Sequence, residues 1–267
     1  MLNIVCALHC EAKPIIDFYK LSALSDCVFP IYSNEQINLV VTGIGKVDTA
    51  AAMAYLFTKT LEQKNSAWLN YGIAGHKNAM LGDWFNVNKI TESSTAINWY
   101  PSRFQNIDCL TASLKTVDNP VSLYEPEKLY DMEASSFMST ALKFSGIELI
   151  QLMKVVSDNE ESHLVEINKK HVQKLLLKNL DPLISMIAVL QQHKKDFDEI
   201  YAVDDFYMNL LEKWHFTQYQ KKEVERLIQR WKAICNKDDT DGLEKCQDAK
   251  QVIAWYKMQL NEAQVMF

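Results

Sequence analysis

The feature that most constrains this chain is an apolar run, Ile147 to Val156, that is followed directly by Ser157 and Asp158. We predict that the run is a central β-strand, because it is short and rich in branched side chains. A second acidic segment, residues 131–136, lies upstream at the start of a predicted helix. In open α/β sheets, ligands bind beyond the carboxyl ends of the strands. Two acids brought to that edge by different elements therefore predict a site.

Composition excludes several classes of protein. The 267 residues are 48% hydrophobic with a net charge of -6, which favours a globular protein and argues against a nucleic-acid or membrane surface as partner. The N-terminus lacks the pattern of an export signal, and the longest apolar runs are too short to span a bilayer. The six cysteines lack dense, paired spacing, so we expect reduced thiols and a cytoplasmic protein.

Residues 1–192 alternate between strand and helix patterns and predict an α/β domain, a central mixed sheet flanked by helices. The predicted strands are Leu2–Leu8, Val28–Ser33, Ile37–Thr42, Ala67–Tyr71, Trp84–Ile90, Leu110–Thr116 and Ile147–Val156. The predicted helices run through Ile15–Tyr19, Val47–Leu61, Glu127–Ser145 and His163–Gln192, the last with a break near Asp181–Pro182.

Residues 193–267 lose the strand signals and predict an all-helical extension, with segments near Glu199–Trp214, Gln218–Cys235 and Leu243–Ala263. This part carries twelve Lys plus Arg and fourteen Asp plus Glu, a balance that argues against a basic helix that reads DNA. We expect it to pack on the main domain or on a second subunit.

Two glycine-bearing segments follow predicted strands. Gly43-Ile44-Gly45-Lys46 could cradle an anion at a helix N-terminus, although the spacing also suits a plain tight turn between strand and helix. Gly72-Ile73-Ala74-Gly75 predicts a second turn, and the two could converge on one pocket. Glu11 lies at another junction between strand and helix, where it could serve a site or only favour the helix N-terminus.

Short segments in a consistent order resemble the superfamily of nucleoside phosphorylases and nucleosidases, which includes purine nucleoside phosphorylases and methylthioadenosine/S-adenosylhomocysteine nucleosidase. The resemblance covers residues 1 to about 192. The matching segments are Ala7–Glu11 at the end of the first strand, Val41–Val47, Asn70–Gly75 with Leu81–Asp83, Tyr130–Ala134 and Val155–Asp158.

The resemblance implies cleavage of an N-glycosidic bond without a cofactor, in a nucleoside of purine type. By position, Asp158 matches the acid that faces the base, and Glu133 with Met132 matches the residues that bind the ribose. Glu11 matches the residue that activates water in the hydrolytic members. Such chemistry suits carboxylates, because positive charge develops on the sugar ring and negative charge on the departing base. The simpler alternatives are helix-capping roles for Asp158 and first-turn roles for both glutamates.

The resemblance also implies pocket-lining roles, which fall on Gly43, Gly72, Ile73, Ala74, Gly75 and Ser157. Ile73 replaces the family's hydroxyl residue in this segment, which favours hydrolysis over phosphorolysis, where phosphate would be the co-substrate. Lys13, Lys46 and Arg103 could still supply positive charge.

Residues 91–126 should hold the aromatic residue that stacks on the base, with Tyr100 and Phe104 as candidates. We expect a homo-oligomer that binds a small-molecule nucleoside, and no metal. A catalytically weak binding or scaffold protein that uses its helical tail is the remaining alternative.

Overall fold

The structure is a computed structural model that describes residues 1–60, 65–102, 109–121, 123–162, 168–200, 205–235 and 242–265. Two compact units divide the chain, Met1–Lys195 and Asp196–Phe267. Among the described helices, none is long and apolar enough to cross a membrane.

The first unit is an α/β fold, as predicted. Its strands are β1 Leu2–Cys6, β2 Ser22–Ala23, β3 Ile31–Ser33, β4 Ile37–Val41, β5 Ala67–His76, β6 Trp84–Glu92, β7 Asn98–Trp99, β8 Leu110–Thr116, β9 Lys128–Asp131 and β10 Ile150–Asp158. Its helices are α1 His9–Tyr19, α2 Lys46–Lys59, α3 Ala134–Phe144, α4 Lys169–Lys178 and α5 Leu180–Ile200, the last of which crosses the boundary between the units.

The ten strands form one mixed sheet in the order β10-β6-β8-β9-β5-β1-β4-β3-β2, with β7 beside β6. Strand β5 pairs in parallel with both β1 and β10. Because β10 also pairs with β6, the strands β10, β6, β8, β9 and β5 form a closed circuit. The carboxyl ends of β1, β5 and β10 consequently lie side by side at one edge.

Alternation along the strands sends side chains into two cores. Ile4 and Leu69 join the core that contains residues of α1, α4 and α5, while their neighbours Val5 and Trp68 join the core that contains residues of α2 and α3. The sheet is therefore buried on both faces, which explains why its central strands read as continuous apolar runs.

Several predicted elements need correction. Residues 72–75 are not a turn, because β5 continues to His76 in register with β10. The helix predicted from Glu127 begins only at Ala134, because residues 128–131 pair as β9 with β8 and β5. The run at 147–156 opens with a 3₁₀ helix, Ile147–Leu149, and its strand extends through Asp158.

Other boundaries shift by a few residues. The predicted strand at 28–33 begins at Ile31, and the first helix begins at His9, so Pro14 lies inside it. The long stretch 163–192 divides at Asn179, which leaves Pro182 in the first turn of α5, where proline is tolerated. Residues 163–167 lie outside the described part of the chain.

The second unit contains the helices α6 Asp205–Lys213, α7 Gln218–Cys235 and α8 Ala249–Val265. Between α7 and α8, residues Leu243–Lys245 form a 3₁₀ helix, so α8 begins later than the predicted Leu243. The unit has its own apolar core, in which Trp231 packs edge-on against Trp255 with ring centroids 6.1 Å apart.

Candidate active site

A cavity of about 200 Å³ lies where the carboxyl ends of β1, β5 and β10 meet. Glu11, Glu133 and Asp158 all line it, although they come from three separate elements. The other lining residues, all in the first unit, are Ala7, Leu8, Ile44, Ile73, Ala74, Gly75, Val117, Pro120, Val121, Tyr124, Tyr130, Asp131, Met132 and Ser157. The cavity is thus apolar on much of its wall and carries acids from several directions.

Glu11 is held rigidly in the first turn of α1. Its Oε2 accepts a hydrogen bond of 2.8 Å from the backbone N–H of Leu8, and its Oε1 accepts one of 2.9 Å from that of Ile73. Burial raises the pKa of the Glu11 carboxyl against the opposing effect of these two donors. A carboxylate whose pKa is raised toward neutrality is a better base for accepting a proton from water.

Gly72 makes this position of Glu11 possible. A Cβ atom added at Gly72 would lie 2.7 Å from Glu11 Oε1, so any larger residue would displace the carboxylate. Gly72 therefore contributes by leaving room for the Glu11 carboxylate. It was predicted to line the cavity, but it is not one of the lining residues. Gly43 also lies off the wall; its φ of +91° suits glycine in the turn that leads to α2.

Glu133 precedes α3, and its side chain extends to the glycine turn at residues 43–46. Its Oε1 accepts a hydrogen bond of 2.7 Å from the backbone N–H of Gly45. Burial raises the pKa of Glu133 to about 7, and the neighbouring Asp131 carboxylate contributes to the rise. The carboxyl is thus poised to change charge near neutral pH.

A buried ion pair lies beneath Glu133. Lys154 Nζ is 2.9 Å from Asp131 Oδ2, and both side chains are almost fully buried. Burial alone would lower the pKa of Lys154, but the carboxylates of Asp131 and Glu133 outweigh it and raise the pKa. Asp131 also accepts a hydrogen bond of 2.9 Å from the backbone N–H of Ala134, the first residue of α3, while it neutralises Lys154.

Asp158 is the last residue of β10, and both of its carboxylate oxygens accept hydrogen bonds. Ser157 Oγ donates a hydrogen bond of 2.6 Å to Oδ1, and the Tyr124 hydroxyl donates a short hydrogen bond to Oδ2. Asp158 is only 3% exposed, so these two donors replace most of its contact with water. Within the described part of the chain, Asp158 caps no helix.

Tyr124 is a lining residue that sequence reasoning missed, as are Val117, Pro120 and Val121. Tyr124 lies between β8 and β9, in a part of the sequence where no periodic pattern marks it out. Of the two aromatic candidates for this part of the site, Tyr100 is 60% exposed and does not line the cavity, and Phe104 lies outside the described residues. The only available signal was an aromatic residue a few positions before the segment at 130–134.

The wall of the cavity also contains the five other predicted site residues, which are Met132, Ile73, Ala74, Gly75 and Ser157.

Positive charge is scarce at this site. The lining residues of the described chain include no Lys, Arg or His. Lys46 forms ion pairs with Glu92 at 2.7 Å and with Asp118 at 2.5 Å, and Lys13 pairs with Asp17 on the surface of α1. Arg103 lies outside the described residues. The described part of the site therefore presents acids to a ligand without an opposing cation on its wall.

Several solved structures that are similar to this chain are nucleosidases. A methylthioadenosine/S-adenosylhomocysteine nucleosidase from Colwellia psychrerythraea, in complex with adenine, is 16% identical, with a TM-score of 0.58, over 71% of this chain and 95% of that one. A second, from Neisseria meningitidis, is 18% identical (TM-score 0.57, 70% and 97% covered). Futalosine hydrolase from Helicobacter pylori is 17% identical (TM-score 0.56, 70% and 97% covered). No family model and no curated protein sequence matches this chain. These likenesses show that the chain has the nucleosidase fold.

Proposed function

We propose that this protein cleaves the N-glycosidic bond of a purine-type nucleoside with water as the nucleophile. The observation that carries the proposal is the convergence of three buried acids, Glu11, Glu133 and Asp158, on one cavity whose described wall holds no cation. The fold supports it, since the neighbours named above are nucleosidases and one of them holds adenine.

In the proposed reaction, the bond between C1′ of the sugar and the base nitrogen breaks, and its electron pair moves onto the base. Asp158 donates a proton to the base, which leaves as a neutral molecule. Glu133 accepts hydrogen bonds from the ribose hydroxyls, and its negative charge stabilises the positive charge on the ring.

Water then completes the cleavage. Its oxygen bonds to C1′ while Glu11 accepts one of its protons, and exchange with solvent returns Asp158 and Glu11 to their starting states. The net reaction consumes a nucleoside and water and yields the free base and the free sugar, which keeps any 5′ substituent, without a cofactor.

Phosphate is disfavoured as the nucleophile on electrostatic grounds. A phosphate dianion in this cavity would face Glu11, Glu133, Asp131 and Asp158 without a cation on the described wall. The lysine of the glycine turn, Lys46, is already paired with two carboxylates. Water carries no such electrostatic cost.

The test is a panel of nucleosides (adenosine, inosine, 5′-methylthioadenosine and S-adenosylhomocysteine), followed by chromatographic detection of the base with and without phosphate. We expect base release at the same rate in both buffers, with the free sugar as the second product: ribose from adenosine and inosine, and the 5-substituted ribose from the other two. Turnover that requires phosphate and yields ribose 1-phosphate would contradict the hydrolytic proposal. No turnover of any member would favour a binding protein on this fold.

A further inference from the structure

Tyr124 occupies a position that the proposed reaction leaves unassigned. Its side chain is 8% exposed, lines the cavity, and donates its hydroxyl hydrogen to Oδ2 of Asp158. Its ring packs edge-on against Tyr130 with centroids 5.3 Å apart, while the Tyr130 hydroxyl accepts a hydrogen bond of 3.1 Å from the backbone N–H of Glu125. Tyr124 is therefore fixed from two sides.

The backbone of β5 is also adapted to this hydroxyl. A Cβ atom added at Gly75 would lie 2.6 Å from the oxygen of Tyr124, a distance at which the phenol would have to move. Gly75 has no positive φ that would require glycine. Close approach of the phenol is thus a sufficient reason for glycine at this position in β5, just as Glu11 is at Gly72.

Resting on the proposed function, we propose that Tyr124 is a positioning residue that strengthens Asp158 as the acid for the departing base. When Asp158 gives its proton to the base nitrogen, it becomes a carboxylate in a nearly dry site. The hydroxyls of Tyr124 and Ser157 donate to its two oxygens and stabilise that charge. A hydrogen bond to a charged group is stronger than one to a neutral group, so the stabilisation grows as the proton leaves.

The phenol itself gives up no proton in this step. Burial and the Asp158 carboxylate both raise the pKa of Tyr124, so it stays a hydrogen-bond donor throughout. The proton that reaches the base comes from Asp158, and the electron pair of the broken bond ends on the base nitrogen.

The experiment compares wild type, Tyr124→Phe and the control Tyr55→Phe on two substrates. One is the best nucleoside of the panel, whose base needs a proton to leave. The other is 4-nitrophenyl β-D-riboside, whose leaving group departs as a stable anion. Tyr55→Phe also removes one tyrosine hydroxyl, which accepts a hydrogen bond of 3.3 Å from the backbone N–H of Val28 away from the cavity.

We expect Tyr124→Phe to lower kcat on the nucleoside by about 10- to 100-fold, with a much smaller change in KM. On the nitrophenyl riboside the loss should be less than about 3-fold, and Tyr55→Phe should match wild type on both. Equal losses on the two substrates, or an unchanged kcat on the nucleoside, would overturn the role of Tyr124 and leave the hydrolytic function standing. Absence of turnover by wild type on both substrates would overturn the function itself, and the role of Tyr124 with it.

Discussion

At the residue scale, the site depends on carboxylates that are buried yet supplied with donors. Glu11 accepts two backbone hydrogen bonds, Asp158 accepts two from hydroxyls, and Glu133 accepts its strongest one from Gly45. Burial of an unpaired charge would be costly, and these donors reduce the cost without removing it. The residual cost appears as the raised pKa of Glu133.

The ionisation of Glu133 predicts how activity and stability vary with pH. Because its pKa is about 7, we expect kcat/KM to fall as the pH drops below 7, since protonation removes the charge that stabilises the sugar ring. A pH profile of kcat/KM from pH 5 to 9 measures this fall in activity. A profile that stays flat down to about pH 5 would contradict the assigned role of Glu133.

Stability should vary with pH in the opposite direction, so that the folded state loses stability as the pH rises. The raised pKa of Glu133 means that the folded state binds its proton more tightly than the unfolded state, whose pKa is near 4.5. The resulting contribution to the free energy of unfolding is fully present below about pH 4.5 and is lost as the pH rises through 7. The loss amounts to up to about 3 kcal/mol. Glu133→Gln should therefore gain stability relative to wild type between pH 5 and pH 8, as measured by urea unfolding.

Glu11 and Asp158 could be found from the sequence because each follows a recognisable strand, and Glu133 because its segment resembles that of the superfamily, although the strand before it was mistaken for helix. Tyr124 could not, because its segment has no periodicity and its importance depends on a contact with Asp158 34 positions away. The need for glycine at positions 72 and 75 was equally hidden: it arises from side chains that approach from other elements.

At the element scale, the site depends on strands whose carboxyl ends share one edge. β10 brings Asp158 to the cavity and, four residues earlier, carries Lys154 into the core beneath it. The central strands were predictable because apolar runs of this length are typical of parallel strands buried on both faces. β9 was mistaken for helix, because its four residues have no strand pattern of their own and are held by pairing with β5 and β8.

The buried pair of Lys154 and Asp131 gives the prediction at this scale. Lys154→Met leaves the Asp131 carboxylate buried without its partner, so we expect the free energy of unfolding to fall by about 3–5 kcal/mol. Lys13→Met, which breaks an exposed pair with Asp17, is the matched control and should cost less than about 1 kcal/mol. Urea denaturation monitored by circular dichroism measures both. Similar, small losses in the free energy of unfolding of the two variants would show that the buried pair stabilises the fold no more than the exposed pair does.

At the scale of the whole molecule, the chain holds two units with separate apolar cores. The change from alternating strands and helices to helices alone was visible in the sequence, and the structure divides the chain between Lys195 and Asp196. The boundary itself lies inside α5, where continuous helical periodicity hides it. Every described residue that lines the cavity belongs to the first unit.

Separate cores predict separate consequences of core mutations. Trp231→Ala should destabilise the second unit by about 3–5 kcal/mol while kcat/KM of the remaining folded protein stays within about 2-fold of wild type. Trp68→Ala, the matched change in the first unit, should lower both stability and the temperature at which activity is lost. Thermal unfolding and initial rates measured on the same samples check both. A large loss of kcat/KM in Trp231→Ala would mean that the second unit takes part in the site.

Base release in phosphate-free buffer by wild type and Asp158→Asn tests the central claim most directly. The amide that this change introduces cannot donate a carboxyl proton to the departing base, whereas Asp17→Asn, an exposed change outside the cavity, controls for loss of one negative charge. We predict that wild type and Asp17→Asn release the base at equal rates and that Asp158→Asn is slower by about 100-fold or more. A rate for Asp158→Asn equal to that of wild type would contradict the assignment of Asp158 as the acid.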